Sequence, residues 1–161
     1  MKRVFSSMLI VLCVVSGLHC KSTQPSEMPR QNLEGDELLL VELTNSERGK
    51  HRLPALRINR ILVEIGRYHS FDMAEREYVS HINPDGETPT ERARKFGYTY
   101  ITLAENIAAG NQSVNEVFQG WMESSDHRAN ILSNQFTELG VGIYLGRDGQ
   151  AYYTQVFGHP L

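Results

Sequence analysis

The sequence predicts an α+β domain with a small antiparallel sheet layered between helices. Three observations carry this. Apolar residues recur at helical spacing behind Asp36, behind Asn59 and behind Ser113. Tyr98–Ala104 is rich in aromatic and β-branched residues, as strands are. The C-terminal runs Leu139–Leu145 and Ala151–Phe157 flank Gly146-Arg147-Asp148-Gly149, a hairpin signal. Helices interleaved with a few antiparallel strands pack best as helix, sheet, helix.

The elements follow in order. Asp36 and Glu37 suit a helix N-terminus, with Leu38, Leu39, Val41 and Leu43 behind them and Gly49 and Pro54 as the stop. Asn59 is the expected N-cap of a second helix to Val79, with Leu62, Ile65, His69, Met73 and Ala74 near one face. Asn83-Pro84-Asp85-Gly86 has Pro and Gly where a type I turn favours them. Thr90–Phe96 reads as a short basic helix ended by Gly97. Ser113-Val114-Asn115-Glu116 is a capping box, and Val114, Val117, Phe118, Trp121 and Met122 form an apolar stripe behind it. Trp121 and Met122 are therefore core residues rather than a cofactor box.

Composition narrows the function. With 161 residues there is room for one domain. Sixteen Lys and Arg stand against 19 Asp and Glu, a net charge of −3, so a basic nucleic-acid binder is set aside. Two cysteines are too few for a disulfide scaffold or a four-cysteine zinc site. Lys2-Arg3 followed by the apolar run Met8–Val15 reads as a signal peptide over residues 1–19, and the expectation is an exported, secreted or envelope-associated protein. Val15-Ser16-Gly17 suits ordinary cleavage. Gly17-Leu18-His19-Cys20 suits a loose lipoprotein box, which makes a lipid anchor at Cys20 the one expected membrane contact. Residues 20–35 hold Pro25 and Pro29 and read as a tether ahead of a domain over 36–161.

Several chemistries lack their motif. The sequence has no Gly-rich phosphate loop, no G-x-S-x-G and no H-E-x-x-H. The Asn83–Gly86 turn is too short and ligand-poor for calcium. Ser125, Asp126 and His127 are neighbours in sequence and cannot form a triad with one another. What remains is His81 before the Pro-Asp-Gly turn, His127 in Ser124-Ser125-Asp126-His127-Arg128, and Glu105 between them at the end of an apolar strand. Each also has a structural reading: His81 closing a turn, His127 capping a helix, Glu105 accepting from a backbone amide or a histidine. His51, His69 and His159 have no companions in sequence, so surface or packing roles are expected. Arg128 is expected to be solvated, and Tyr98 and Tyr100 to pack.

These segments, in this order, resemble the CAP superfamily, the cysteine-rich secretory, antigen 5 and pathogenesis-related 1 proteins that carry the SCP domain, and in particular its short bacterial members. Leu43-Thr44-Asn45-Ser46-Glu47-Arg48, Asp72-Met73, Ala104-Glu105-Asn106-Ile107, Gly140-Val141-Gly142 and Tyr153-Thr154-Gln155-Val156-Phe157 carry the likeness together with the two histidine segments. It implies a three-layer α-β-α sandwich and a groove lined by two His and two acids. By motif match the groove residues are His81, His127 and Glu105. The family's second acid falls at Ser124, which leaves Glu123, one place earlier, as its substitute.

Two imidazoles and a carboxylate suit zinc or another divalent cation, with His81 and His127 as the metal ligands. Glu105 and His127 are the candidates for acid–base work. The resemblance thus implies a binding module whose His/Glu groove takes a cation or a small apolar ligand. Two alternatives stand beside it: a metal-assisted, protease-like hydrolase in the same groove, and an interaction protein with a vestigial groove. The expected partners are a small ligand, a lipid or an extracellular protein.

Overall fold

The computed structural model describes residues 34–161. The expected signal peptide, Cys20 and nearly all of the expected tether therefore lie outside the described residues. Helix α1 spans Glu34–Lys50, so it begins two residues before the expected Asp36 and runs through Gly49. Strand β1 is Arg57–Ile58 and helix α2 is Arg60–Glu75. Helix α3 is Pro89–Lys95, and strand β2 is Tyr100–Gly110. Helices α4 and α5 are Val114–Glu123 and Ser125–Ile131. Strands β3, Glu138–Leu145, and β4, Ala151–Pro160, form the hairpin. Among the described residues no helix is long and apolar enough to cross a membrane.

The helix starts follow their caps. Asn59 Oδ1 accepts from Ile61 N at 2.8 Å and from Leu62 N. Thr88 and Ser113 each form a reciprocal capping box, with Glu91 and Glu116. Helix α2 stops at Glu75 rather than Val79, because Glu77 turns into the left-handed region at φ 53° and Tyr78 N bonds back to Met73 O. This early stop frees residues 76–88 as the loop that carries His81.

The sheet order is β1-β3-β4-β2. The pairs β2–β4 and β3–β4 are antiparallel, while β1 adds a two-residue parallel pair, Arg57↔Glu138 and Ile58↔Leu139. The sheet is therefore mixed rather than purely antiparallel. The reason is local: the short link from α1 to α2 runs beside β3 before α2 begins.

Alternation along the strands divides the interior in two. Leu139, Val141, Ile143, Tyr153 and Phe157 join α1, α4 and α5 in the larger core. Val156 and Tyr98 pack with Leu62 and Ile65 of α2, and Tyr152 packs with Met73. Gly140 and Gly142 face α2, where a Cβ on either would run into the helix backbone at Leu62 or Gly66–Arg67. Those two glycines let α2 lie close on the sheet, and that closeness brings His69 of α2 up to β2.

Candidate functional site

Strand β2 does not end at Ala104, as its composition suggests, but continues to Gly110. Glu105 is thus an interior strand residue, and its neighbours point to opposite faces. Glu105 pairs opposite Val156 on the α2 side, and Asn106 opposite Gln155 on the side of α1, α4 and α5.

Glu105 is buried and held from three directions. Arg92 Nη2 donates to both carboxylate oxygens, at 3.1 and 3.0 Å. His81 Nδ1 lies 2.9 Å from Oε1. His69 Nε2 is 3.7 Å from the same oxygen. Burial alone would raise the Glu105 pKa; the His81 hydrogen bond and the Arg92 charge outweigh it and hold the carboxyl below the usual range. Arg92 also donates to the carbonyls of His81 (2.9 Å) and Glu87 (3.1 Å), so one guanidinium fastens the loop to the strand.

His69 and Arg92 are the members that sequence reading missed. His69 is fully buried rather than a lone packing residue, and its Nε2 bonds to Ser80 O at 3.0 Å. Nε2 therefore carries the proton, and Nδ1 is left with no partner among the described residues. Burial pushes His69 below the ordinary histidine value, against the pull of the Glu105 charge and with help from that of Arg92, so the neutral ring is favoured. A signal for it existed: a histidine on the apolar face of a helix needs a buried acceptor. Arg92 carried no such signal, because in a short basic helix its sequence neighbours Arg94 and Lys95 look the same.

His127 is half-buried on α5, its ring 6.2 Å from that of Trp121. Helix α5 exists because Ser124 breaks from α4 in an extended conformation, which redirects the chain after Trp121. Asn106 fixes the segment: its Nδ2 donates to His127 O and to Gln155 Oε1, both at 3.2 Å, while its Oδ1 accepts from Asn130 at 2.9 Å. Trp121 Nε1 donates to Ile107 O at 3.1 Å. Burial lowers the His127 pKa, and the charge of His81 lowers it further against the pull of Asp126.

The remaining expectations resolve simply. Glu123 is exposed at the end of α4 and makes no hydrogen bond or ion pair to His81, Glu105 or His127 among the described residues. Arg128 is exposed, while Tyr98 is buried and stacks on Tyr100. Among the described residues no group of three or more His, Cys, Asp or Glu side chains is arranged to hold a metal. The reason is visible at Glu105, whose oxygens already serve Arg92 and His81.

The α-β-α sandwich defines a class of fold, and the sequence places the chain within it. Residues 41–157 match the cysteine-rich secretory protein family, CAP, and the chain belongs to that family. It is 42% identical over 106 residues to YkwD of Bacillus subtilis, covering 66% of this chain and 41% of YkwD. A membrane protein of the same organism, YlbC, is 32% identical over 121 residues, which is 75% of this chain and 34% of YlbC. The chain thus spans about two fifths or less of the length of these two relatives. Among solved structures, an extracellular SCP-domain protein of Bacillus anthracis matches with a TM-score of 0.73 and 35% identity, over 78% of this chain and 41% of that one. An outer surface protein of Borrelia burgdorferi matches in fold, with a TM-score of 0.75 and 21% identity, over 80% of this chain and 96% of that one.

Proposed function

We propose that the chain is an exported CAP-domain binding module in which His81 and His127 take a divalent cation, zinc foremost, at a groove that also receives a small apolar ligand. One observation carries this: Glu105 engages Nδ1 of His81 while Arg92 keeps the carboxylate from turning away. With its proton on Nδ1, His81 offers a lone pair at Nε2, and its side chain is 49% exposed. A carboxylate behind a histidine is the usual support for a metal-binding imidazole. His127, kept neutral by burial, supplies the second nitrogen. A bound cation would supply a Lewis acid with open positions for water or ligand.

Val79 and Ile82, close to His81 in sequence, are 55% and 52% exposed and offer apolar surface to such a ligand. Export is supported by the Lys2–Val15 pattern and by the extracellular and outer-surface relatives. The His81–Glu105 pair also has the form of a general base, and this favours the hydrolase as the second reading.

Calorimetric zinc titration of the chain beside its His81→Ala/His127→Ala variant tests the first reading. Micromolar binding in the wild type that disappears in the variant is expected. A folded wild type that takes up no zinc overturns the cation site. Peptidase turnover lost in His81→Ala alone would favour the hydrolase.

A further inference from the structure

A second pocket lies away from this groove and contains none of its residues. It is a concave space of about 380 Å³ where the C-terminal end of α1 meets β1, the α5–β3 connection and the end of β4. That volume lies within the range of small-molecule sites. Its floor is Arg48, which is 1% exposed.

Arg48 is a buried cation without an anion. Its Nε donates to Pro54 O at 2.9 Å, and Nη1 donates to Ile131 O at 2.9 Å and Ser133 O at 2.6 Å. No carboxylate pairs with it among the described residues, and Nη2 donates to no protein atom there. Nη2 is not fully enclosed, and Arg48 is among the residues that line the pocket. Carbonyl dipoles at the end of α5 offset part of the charge. Burial still pulls the guanidinium below its ordinary value. A buried charge normally has a counter-charge as well as hydrogen bonds.

The rest of the pocket suits an anion with an apolar body. Phe136 and Pro160 give it apolar walls, and Arg57, ion-paired with Glu138 at 3.3 Å, stands at the rim. Asn134 and Thr137 line it with side chains that make no hydrogen bond among the described residues. The nearby acid, Glu138, is occupied by Arg57, Asn59 and Tyr98. We propose that this pocket binds a small organic carboxylate, its charged end on Nη2 of Arg48 and its apolar end against Phe136 and Pro160.

Hexanoate titration of the ¹⁵N-labelled full chain, at constant ionic strength and followed by NMR, tests this. Saturable shifts of Arg48 Nε–H and the Asn134 and Thr137 amides are expected. Arg57→Ala should weaken binding about two- to fivefold, as loss of one exposed charge does. Ala55→Trp fills the pocket while keeping Arg48, so it separates occupancy from folding and should abolish the shifts. Arg48→Gln should do the same if circular dichroism shows a native fold. Absence of saturation in folded wild type, or unchanged binding in Ala55→Trp, overturns the proposal. So does inorganic phosphate that binds the same resonances more tightly than hexanoate. Zinc titration is independent of all these outcomes.

Discussion

Glu105 and Asn106 are adjacent on one strand, yet the two faces of β2 solve the same problem differently. Each side chain fastens a histidine-bearing segment to the sheet. On the α2 side the fastening is ionic: a buried carboxylate, a buried guanidinium, and two histidine rings. On the other side it is a chain of neutral groups, Asn130 to Asn106 to Gln155 to Thr44, ending on Leu40 O. The ionic side grips the His81 ring and sets its tautomer. The amide side grips only the His127 backbone and leaves the ring to its surroundings. A buried charge network orders its members tightly but fails badly when one is removed, whereas an amide network loses one hydrogen bond at a time.

The largest expected effect follows from that asymmetry. Arg92→Ala leaves Glu105 buried without its main cation and should cost about 3–5 kcal/mol in denaturant unfolding. Asn106→Ala removes three hydrogen bonds between neutral groups and should cost about 1–3 kcal/mol. Equal losses would break the contrast between the faces.

The next effect is in pH. Folded His69 lies below its ordinary value of 6.5, so below that pH the unfolded chain takes up a proton that the fold refuses. Stability therefore falls as pH drops below the ordinary histidine value. His127, also lowered, acts in the same window. Glu105 acts lower and with the same sign: its contribution is full above its ordinary value of 4.5 and is lost as pH falls toward its depressed folded value. His69→Gln should reduce the fall in melting temperature between about pH 7 and pH 5, leaving the part due to His127 and the acid limb below it. A variant that melts with the wild-type pH dependence would remove His69 from the account. The smallest expected effect is that of Glu123→Gln, which should leave zinc affinity and melting temperature unchanged. A loss of zinc binding would put Glu123 in the groove after all.

Much of this was readable from local patterns. Asn59 and Ser113 lie at helix starts because their oxygens serve free backbone amides, and such caps need only a few consecutive residues. The Gly146–Gly149 turn, with Gly149 at φ 80°, is equally local. His81 and Glu105 were paired through the family likeness, and the structure places them in hydrogen-bond contact. Strand β1 was invisible because two residues have no periodicity, and the length of β2 was hidden because Ala108, Ala109 and Gly110 are weak strand formers.

The sequence by itself determined the helix caps at Asn59 and Ser113 and the hairpin, because each depends on contacts a few residues apart, while the layer order and the His81, Glu105 and His127 segments were legible only through the family likeness. Only the tertiary structure decided what surrounds Glu105. Arg92 is 13 residues from it and His69 is 36, and neither spacing has a meaning along the chain. They converge because α2 lies close on Gly140 and Gly142 and because Arg92 reaches back to the His81 loop. Arg48 follows the same logic, since its acceptors Ile131 and Ser133 lie more than 80 residues away. A buried charge is satisfied by whatever packing brings to it, and packing is a property of the folded chain.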